Sequence, residues 1–247
     1  MPFDIEMVRR ALPERGLLYF ESIDTTMREA AGRAPGTVVI AGEQTAGQGR
    51  HGHTWHSEPD AGLYCSIVLP REVSPTLTMA LGLATAEAIT ASTGIAVDLR
   101  WPNDIMIADK KLAGILTQLV EHAAIAGIGI NVNHTRFPDA LTEEATSLRI
   151  ESGCEHSREQ LLIALLPAVG RWVGLLRERG SLPIIAEFSR RSSYASGKRV
   201  EVRQGDTILR GTTAGLNDDG FLVVRKDDGS DEIIFAGGVR AAGAGRR

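Results

Sequence analysis

The sequence predicts an α+β fold with a small all-β barrel attached at its C-terminal end. Three observations carry that expectation. Before Gly197, β-branched and apolar runs of strand length are interspersed with longer stretches of helical spacing. After Gly197 the helical spacing stops, and only short alternating strands separated by Gly and Asp turns follow. Finally, the 247 residues are 43% hydrophobic, enough apolar material for a sizeable core.

Taken in order, Leu17–Glu21 reads as a short strand, and Asp24 as the N-cap of a helix that runs to Arg33 and is closed by Gly32 or Gly36. Thr37–Ala41 is a compact β-branched strand. From Glu43 to Gly62 apolar periodicity vanishes and glycine and histidine dominate, which predicts a loop of about 20 residues, a length usually reserved for function. Leu63–Leu69 resumes a strand, Ser74–Thr93 has helical spacing, and Val97–Trp101 is strand-like. Asp104–Ala108 and Leu112–Glu121 then flank a turn at Asp109-Lys110, as in a hairpin, before the strand Ala124–Val132. Ser157 and Gln160 form a capping-box pattern ahead of a helix to about Gly180, with Pro167 as a candidate kink, and Pro183 suits the first turn of another helix through Arg190. The barrel strands are Val200–Arg203, Thr207–Thr213, Phe221–Arg225 and Glu232–Phe235, and the AAGAGRR tail is expected to fray.

Composition narrows the function classes. The 27 basic and 31 acidic residues leave a net charge of −4, which provides no bulk attraction to nucleic acid or to a membrane surface. Two cysteines, Cys65 and Cys154, cannot form a disulfide framework and suit a reducing compartment. The N-terminal stretch has no signal-peptide pattern, and no apolar run is expected to reach the roughly 20 residues of a membrane helix, so a cytoplasmic location is expected.

Three segments carry chemistry. Glycines at 47, 49 and 52 allow backbone amides to approach an anion, and Arg50 adds a fork suited to carboxylate or phosphate; the bland reading is a flexible surface loop. Trp101-Pro102-Asn103-Asp104 is turn chemistry, and Lys110-Lys111 sits at a hairpin where lysine is common. Ala113-Gly114, however, interrupts an apolar strand as if something approaches closely there. Gly127 and Gly129 likewise leave room in a strand that ends at Asn131, whose amide offers both a donor and an acceptor.

Together these segments resemble the biotin–protein ligase family in its short form without a DNA-binding domain. The resemblance covers nearly the whole chain: the loop Gln44-x-x-Gly47-x-Gly49-Arg50-x-Gly52 ending at Trp55, the Trp101–Asp104 and Lys111-x-x-Gly114-Ile115-Leu116 pair, and Gly127-x-Gly129-Ile130-Asn131. Ala145-Thr146-Ser147-Leu148 and the closing Gly237-Gly238-Val239-Arg240 fit as well. The resemblance implies a mixed, mostly antiparallel sheet with helices, of class II synthetase-like kind, over residues 1–195, and an SH3-like barrel over 196–247. It also implies ATP-dependent activation of biotin to biotinyl-5′-AMP, with Mg²⁺ on the phosphates, and transfer to one lysine of a biotin carboxyl carrier domain.

By the same resemblance Lys111 and Arg50 are the catalytic cations. Thr25, Thr26, Gln44, Gln48, Gly49, Arg50, Lys111 and Gly114 line the biotin site; Trp55, Asn103, Gly129 and Asn131 serve ATP or the adenylate. Asp104 is a candidate partner for the incoming acceptor lysine, or simply a turn cap. The chain departs from the family at Gln48 and His53, where arginines are usual, and at Met27, where asparagine is usual; Arg100 replaces a lysine. His51, His53 and His56 suggest zinc, but they lack a fourth ligand and a rigid frame, so no structural metal site is expected.

Rival readings are a lipoate–protein ligase or octanoyltransferase of the same architecture, a biotin-binding pseudoenzyme, and a non-catalytic biotin sensor or repressor. The repressor needs a helix-turn-helix module of about 60 residues, and Thr25-Thr26 arrives too early for one. No nucleic-acid or membrane partner is expected, and a homodimer is allowed but not required.

Overall fold

A computed structural model describes residues 2–71, 74–204 and 207–242, without the side chain of His51; residues 243–247 of the tail expected to fray lie outside the described residues. The chain runs α1 (Ile5–Ala11), β1 (Gly16–Ile23), α2 (Thr26–Ala30), β2 (Thr37–Gln44), a 3-10 turn (Arg50–Gly52), β3 (Gly62–Pro70) and α3 (Leu77–Thr93). It continues through β4 (Asp98–Arg100), β5 (Asp104–Ile107), β6 (Lys110–Leu119) and β7 (Ala123–Asn131). Two short helices follow, α4 (Asp139–Thr142) and α5 (Leu148–Ser152), then α6 (Arg158–Arg179) and α7 (Ser181–Arg191). The last part is β8 (Ser196–Gln204), β9 (Thr207–Leu216), β10 (Leu222–Lys226), β11 (Asp231–Ile234) and β12 (Gly238–Ala241).

The first seven strands form one sheet in the order β1-β2-β3-β7-β6-β5-β4. Only β1 and β2 pair in parallel; the other neighbours are antiparallel. This is the mixed, mostly antiparallel sheet with helices that the family resemblance implies. β3 is buried along all but its last residue because both of its faces are covered: Cys65, Ile67 and Leu69 join the main core with α3, while Val68 packs with Met27 and Ala30 of α2. α3 is buried around most of its circumference, with Leu77, Met79, Leu81, Leu83, Ala84 and Ala86 all inside, and it packs chiefly against α6.

α6 corrects one expectation, because by length and composition it could cross a membrane. In this fold its apolar side, including Leu161, Leu162, Leu165, Val169 and Leu176, packs into the main core. Ser157 caps it by accepting from the Gln160 N–H at 3.1 Å, and the helix continues unbroken through Pro167.

Local details differ in three further places. The N-cap of α2 is Thr25, whose hydroxyl accepts from the Met27 N–H at 3.3 Å; Asp24 pairs instead with Arg28. α2 ends at Ala30 rather than Arg33, consistent with Pro35 disfavouring helix at Ala34. The hairpin turn is Ala108-Asp109, with φ of 47° and 64°, one residue earlier than expected; Lys110 already belongs to β6. Two consecutive positive φ values match the twist of the flanking strands.

The remaining five strands form an antiparallel sheet in the order β11-β10-β9-β8-β12, the SH3-like C-terminal unit. β12 is the strand missed in the periodicity reading, because Gly237 and Gly238 obscure its alternation. This unit is tied to the larger sheet by polar contacts. Trp101 Nε1 donates to the Gly220 carbonyl at 2.9 Å, Lys198 Nζ donates to Asp109 Oδ1 at 3.0 Å, and Arg240 grips Glu144 with both terminal nitrogens. Trp101 is therefore a buried tie between the two sheets.

Candidate active site

The 43–62 segment is more ordered than a plain loop. Its first two residues belong to β2, and residues 47–55 fold back on themselves. Gln48 bridges Thr54, the Gly49 N–H donates to the His53 carbonyl at 2.7 Å, and the Trp55 N–H donates to the Gly47 carbonyl at 2.9 Å. Gly47 permits this closure: a Cβ there would lie 2.7 Å from the Trp55 carbonyl oxygen. The fold-back delivers Arg50 and Trp55 to the sheet, whereas Gln48 and His53 are exposed.

Trp55 lies on a flat patch of the sheet made by two glycines. Gly114 of β6 and Gly129 of β7 are direct cross-strand partners. A Cβ on Gly129 would come within 2.6 Å of the indole, and one on Gly114 within 3.0 Å. The indole N–H is buried and has no hydrogen-bond partner among the described residues. Lys111 Nζ stands 5.4 Å from the indole centroid, within cation–π range.

Lys111 is held from several sides. Its N–H donates to the Glu144 carbonyl at 2.7 Å and its carbonyl accepts from the Thr146 N–H at 3.0 Å, so the Ala145–Leu148 motif fixes its backbone. Its ammonium forms a 2.6 Å ion pair with Asp104, which Arg100 grips from the other side at 2.7 Å. Burial opposes ionisation of Asp104, but the Lys111 ammonium and the Arg100 guanidinium outweigh it and hold the carboxyl below its usual range. Arg50 is partly buried, which lowers its guanidinium pKa against the pull of Asp104, and its Nη1 donates to Asn103 Oδ1 at 3.0 Å. Asn103 in turn donates to the Ile115 carbonyl at 3.0 Å, so Arg50 rests on a fixed partner.

These groups line one cavity. Thr25, Thr26, Gln44, Gln48, Gly49, Arg50, Trp55, Asn103, Lys111, Gly114 and Gly129 all contribute to its wall. Asn131 does not line it; its amide is buried and donates to the Thr146 carbonyl at 3.0 Å, steadying the segment that holds Lys111. Away from the cations, Thr26 bonds Gln44 Oε1 through both its N–H at 2.9 Å and its hydroxyl at 3.1 Å. The same hydroxyl meets Ser66 Oγ at 2.7 Å.

Sequence reasoning missed Ser66, Cys65 and Ile115 at this site. The position of Ser66 was marked, though its partner was not: it is the one serine or threonine in the run Leu63–Leu69, and it is fully buried. Met27 also reaches the cavity, its sulfur covering Gly127 where a Cβ would sit 2.6 Å away. A second cavity of about 650 Å³ adjoins the first, shares Arg50 and Asn103 as a wall, and opens between the two sheets at Trp101, Phe221 and Phe235.

A mixed sheet carrying paired cations beside a cavity, with an SH3-like unit docked against it, defines a protein ligase of the biotin and lipoate class. Residues 19–134 match the Biotin/lipoate A/B protein ligase family, and residues 195–239 match the Biotin protein ligase C terminal domain. The chain belongs to the biotin protein ligases. It is 34% identical to the bifunctional ligase/repressor BirA of Bacillus spizizenii over 89% of this chain and 72% of that protein. It is 31% identical to the biotin–[acetyl-CoA-carboxylase] ligase of Paracoccus denitrificans over 87% of this chain and 98% of that one. The solved biotin protein ligase from Aquifex aeolicus in complex with biotin and ATP superposes with a TM-score of 0.84 at 28% identity, covering 92% of this chain and 99% of that one.

Proposed function

We propose that the protein activates biotin with ATP to biotinyl-5′-AMP and transfers the biotinyl group to a lysine of a carboxyl carrier domain, that of acetyl-CoA carboxylase in the first instance. One observation carries the site assignment. Lys111 and Arg50 line a cavity whose wall also includes Thr26 and Gln44, bonded to each other and, through the Thr26 hydroxyl, to the buried Ser66. A ligand with a carboxylate at one end and a polar ring at the other, joined by an apolar chain, matches that distribution. Ile115, Leu116 and Ile128 supply the apolar wall for the chain.

In the first step a biotin carboxylate oxygen attacks the α-phosphorus and pyrophosphate departs. Two anions meet there, so preorganised positive charge lowers the barrier. Lys111 supplies that charge at the carboxylate and phosphate oxygens, and Arg50 supplies it from the folded-back segment. ATP enters as its Mg²⁺ complex. Asp104 is already paired with two cations, so in this reading the ion is carried on phosphate oxygens and water. Trp55 offers its ring to the adenine. In the second step the acceptor amine attacks the biotinyl carbonyl, AMP leaves, and the amine sheds a proton. Asp104 is a weak base beside two cations, so its work is to position Lys111.

The decisive experiment incubates the protein with biotin, Mg²⁺, ATP and a carrier domain. The expected result is one biotinyl mass increment on the carrier, absent without ATP. Lipoate and octanoate in place of biotin separate the rival acyl ligases. A cytoplasmic location belongs to the same reading, supported by the ATP requirement and by Cys65 and Cys154 both being free thiols.

Two further results are expected. Arg50→Gly should leak activated biotin, because the guanidinium retains the adenylate through charge-assisted bonds. Biotinylation of bystander proteins should rise by about tenfold; a variant that makes no adenylate contradicts this retention role. Residues 43–60 should be cut more slowly by protease once biotin and ATP are both present, because the glycine-rich segment gains contacts that offset its ordering cost. Equal cleavage at saturating ligand would count against that.

A further inference from the structure

Behind Trp55 lies a second cluster that the ligase chemistry does not use. His56 and Glu58 follow Trp55 at the foot of the folded-back segment, and His134 follows β7. One donor atom from each of the three side chains lies within 4.8 Å of the others. Sequence spacing concealed this group, since Glu58 and His134 stand 76 positions apart. It also uses only His56 of the three loop histidines considered for zinc.

The hydrogen bonds around His134 fix its tautomer. Tyr64 has a single hydroxyl proton, which it donates to the Glu58 carbonyl at 3.0 Å. The 3.2 Å contact between Tyr64 Oη and His134 Nε2 must then use a proton on Nε2. Nδ1 is left as a bare lone pair, and it is buried with no partner among the described residues. A neutral imidazole with one nitrogen anchored by a hydrogen bond and the other free is the form in which histidine binds a metal.

The surroundings hold this arrangement. The His134 carbonyl accepts from Ser147 Oγ at 2.7 Å, and the preceding Asn133 N–H donates to the Ala61 carbonyl at 2.6 Å. Phe137 stacks on the His134 ring at 5.0 Å and meets His56 edge-on at 6.3 Å, which walls one side with apolar surface. Tetrahedral donors around zinc stand roughly 3.3 Å apart. The cluster therefore has to tighten by up to about 1.5 Å, a movement open to His56 and Glu58, which are only partly buried.

We propose that His56, Glu58 and His134 form a binding site for a divalent transition metal of the zinc class, tying the foot of the 43–62 segment to the end of β7. Two imidazoles and a carboxylate suit zinc, cobalt or nickel over magnesium and leave a coordination position for water. The site does not depend on the ligase reading, because none of its residues lines the reaction cavity.

Cobalt(II) titrated into chelator-treated full-length protein, without biotin or ATP, tests this directly. The expected result is one equivalent bound with a visible d–d absorption band, displaced by zinc, and a zinc-dependent rise in Tm. His56→Ala and Glu58→Gln, neither at a fully buried position, should each weaken cobalt binding at least tenfold while leaving the metal-free Tm unchanged. Cys154 and His156, 3.8 Å apart on the surface, are the competing metal-binding pair. Loss of binding in Cys154→Ser, retention in either cluster variant, or no stoichiometric binding by the wild type would each overturn the site.

Discussion

Lys111→Ala is expected to abolish biotinyl-adenylate formation, lowering the rate of pyrophosphate release by about a thousandfold or more, with the fold intact. The magnitude is that of removing a preorganised charged donor from a site where negative charge develops. The expectation of a sound fold rests on what the side chain does not do. Lys111 is anchored through its backbone, by the Glu144 carbonyl and the Thr146 N–H, and alanine keeps both bonds. Asp104, the carboxylate left behind, retains Arg100 at 2.7 Å, so the deletion does not strand a buried charge. A structural lysine and a chemical one therefore separate cleanly. Thermal unfolding near the wild-type temperature together with lost pyrophosphate release supports the chemical role; pyrophosphate release at the wild-type rate from a folded variant would remove Lys111 from the reaction.

Which parts of this architecture were legible in the sequence follows from range. β3, α3 and β7 were readable because an apolar run long enough to be buried announces itself locally, and Ser157 was readable as a cap because its partner Gln160 is three residues away. The turn at Ala108-Asp109 was misplaced by one because neither residue is glycine, so the positive φ values had no local marker. β12 was hidden for the opposite reason: Gly237, where a Cβ would meet the Arg203 carbonyl of β8 at 2.7 Å, and Gly238 erase its hydrophobic alternation. At the site, Arg50, Lys111 and Trp55 stood out as residues with chemistry in motifs. Ser66 and Asn131 act through partners far away in sequence, Thr26 at one end and Thr146 at the other, and no local pattern reports such contacts. The His56–Glu58–His134 cluster is the extreme case, since it exists only after β3 and β7 have paired.

Gly129→Val is expected to leave the protein as stable as the wild type, or more so, while raising the KM for ATP by about a hundredfold. Gly129 sits inside β7 with ordinary strand backbone, between Tyr64 of β3 and Gly114 of β6. A β-branched residue suits a strand interior better than glycine does, so local propensity favours the substitution. The glycine is explained by what lies above it. A Cβ at this position would meet indole carbons at 2.6 and 2.8 Å, and the partner Gly114 would meet the same ring at 3.0 Å, so only two bare backbones let Trp55 lie flat beside Lys111. Valine must lift the indole, and the displacement reaches the rest of the fold-back because the Trp55 N–H is bonded to Gly47 at 2.9 Å. Stacking of a base on an aromatic ring is worth roughly 1–3 kcal/mol, and its loss alone accounts for most of the expected change. The double variant with Trp55→Ala identifies the route: if valine acts by displacing the indole, the two losses should not add. A stable Gly129→Val protein with wild-type ATP dependence would show that the glycine pair does not seat Trp55 for the nucleotide, and additive losses would mean that valine obstructs the cavity directly.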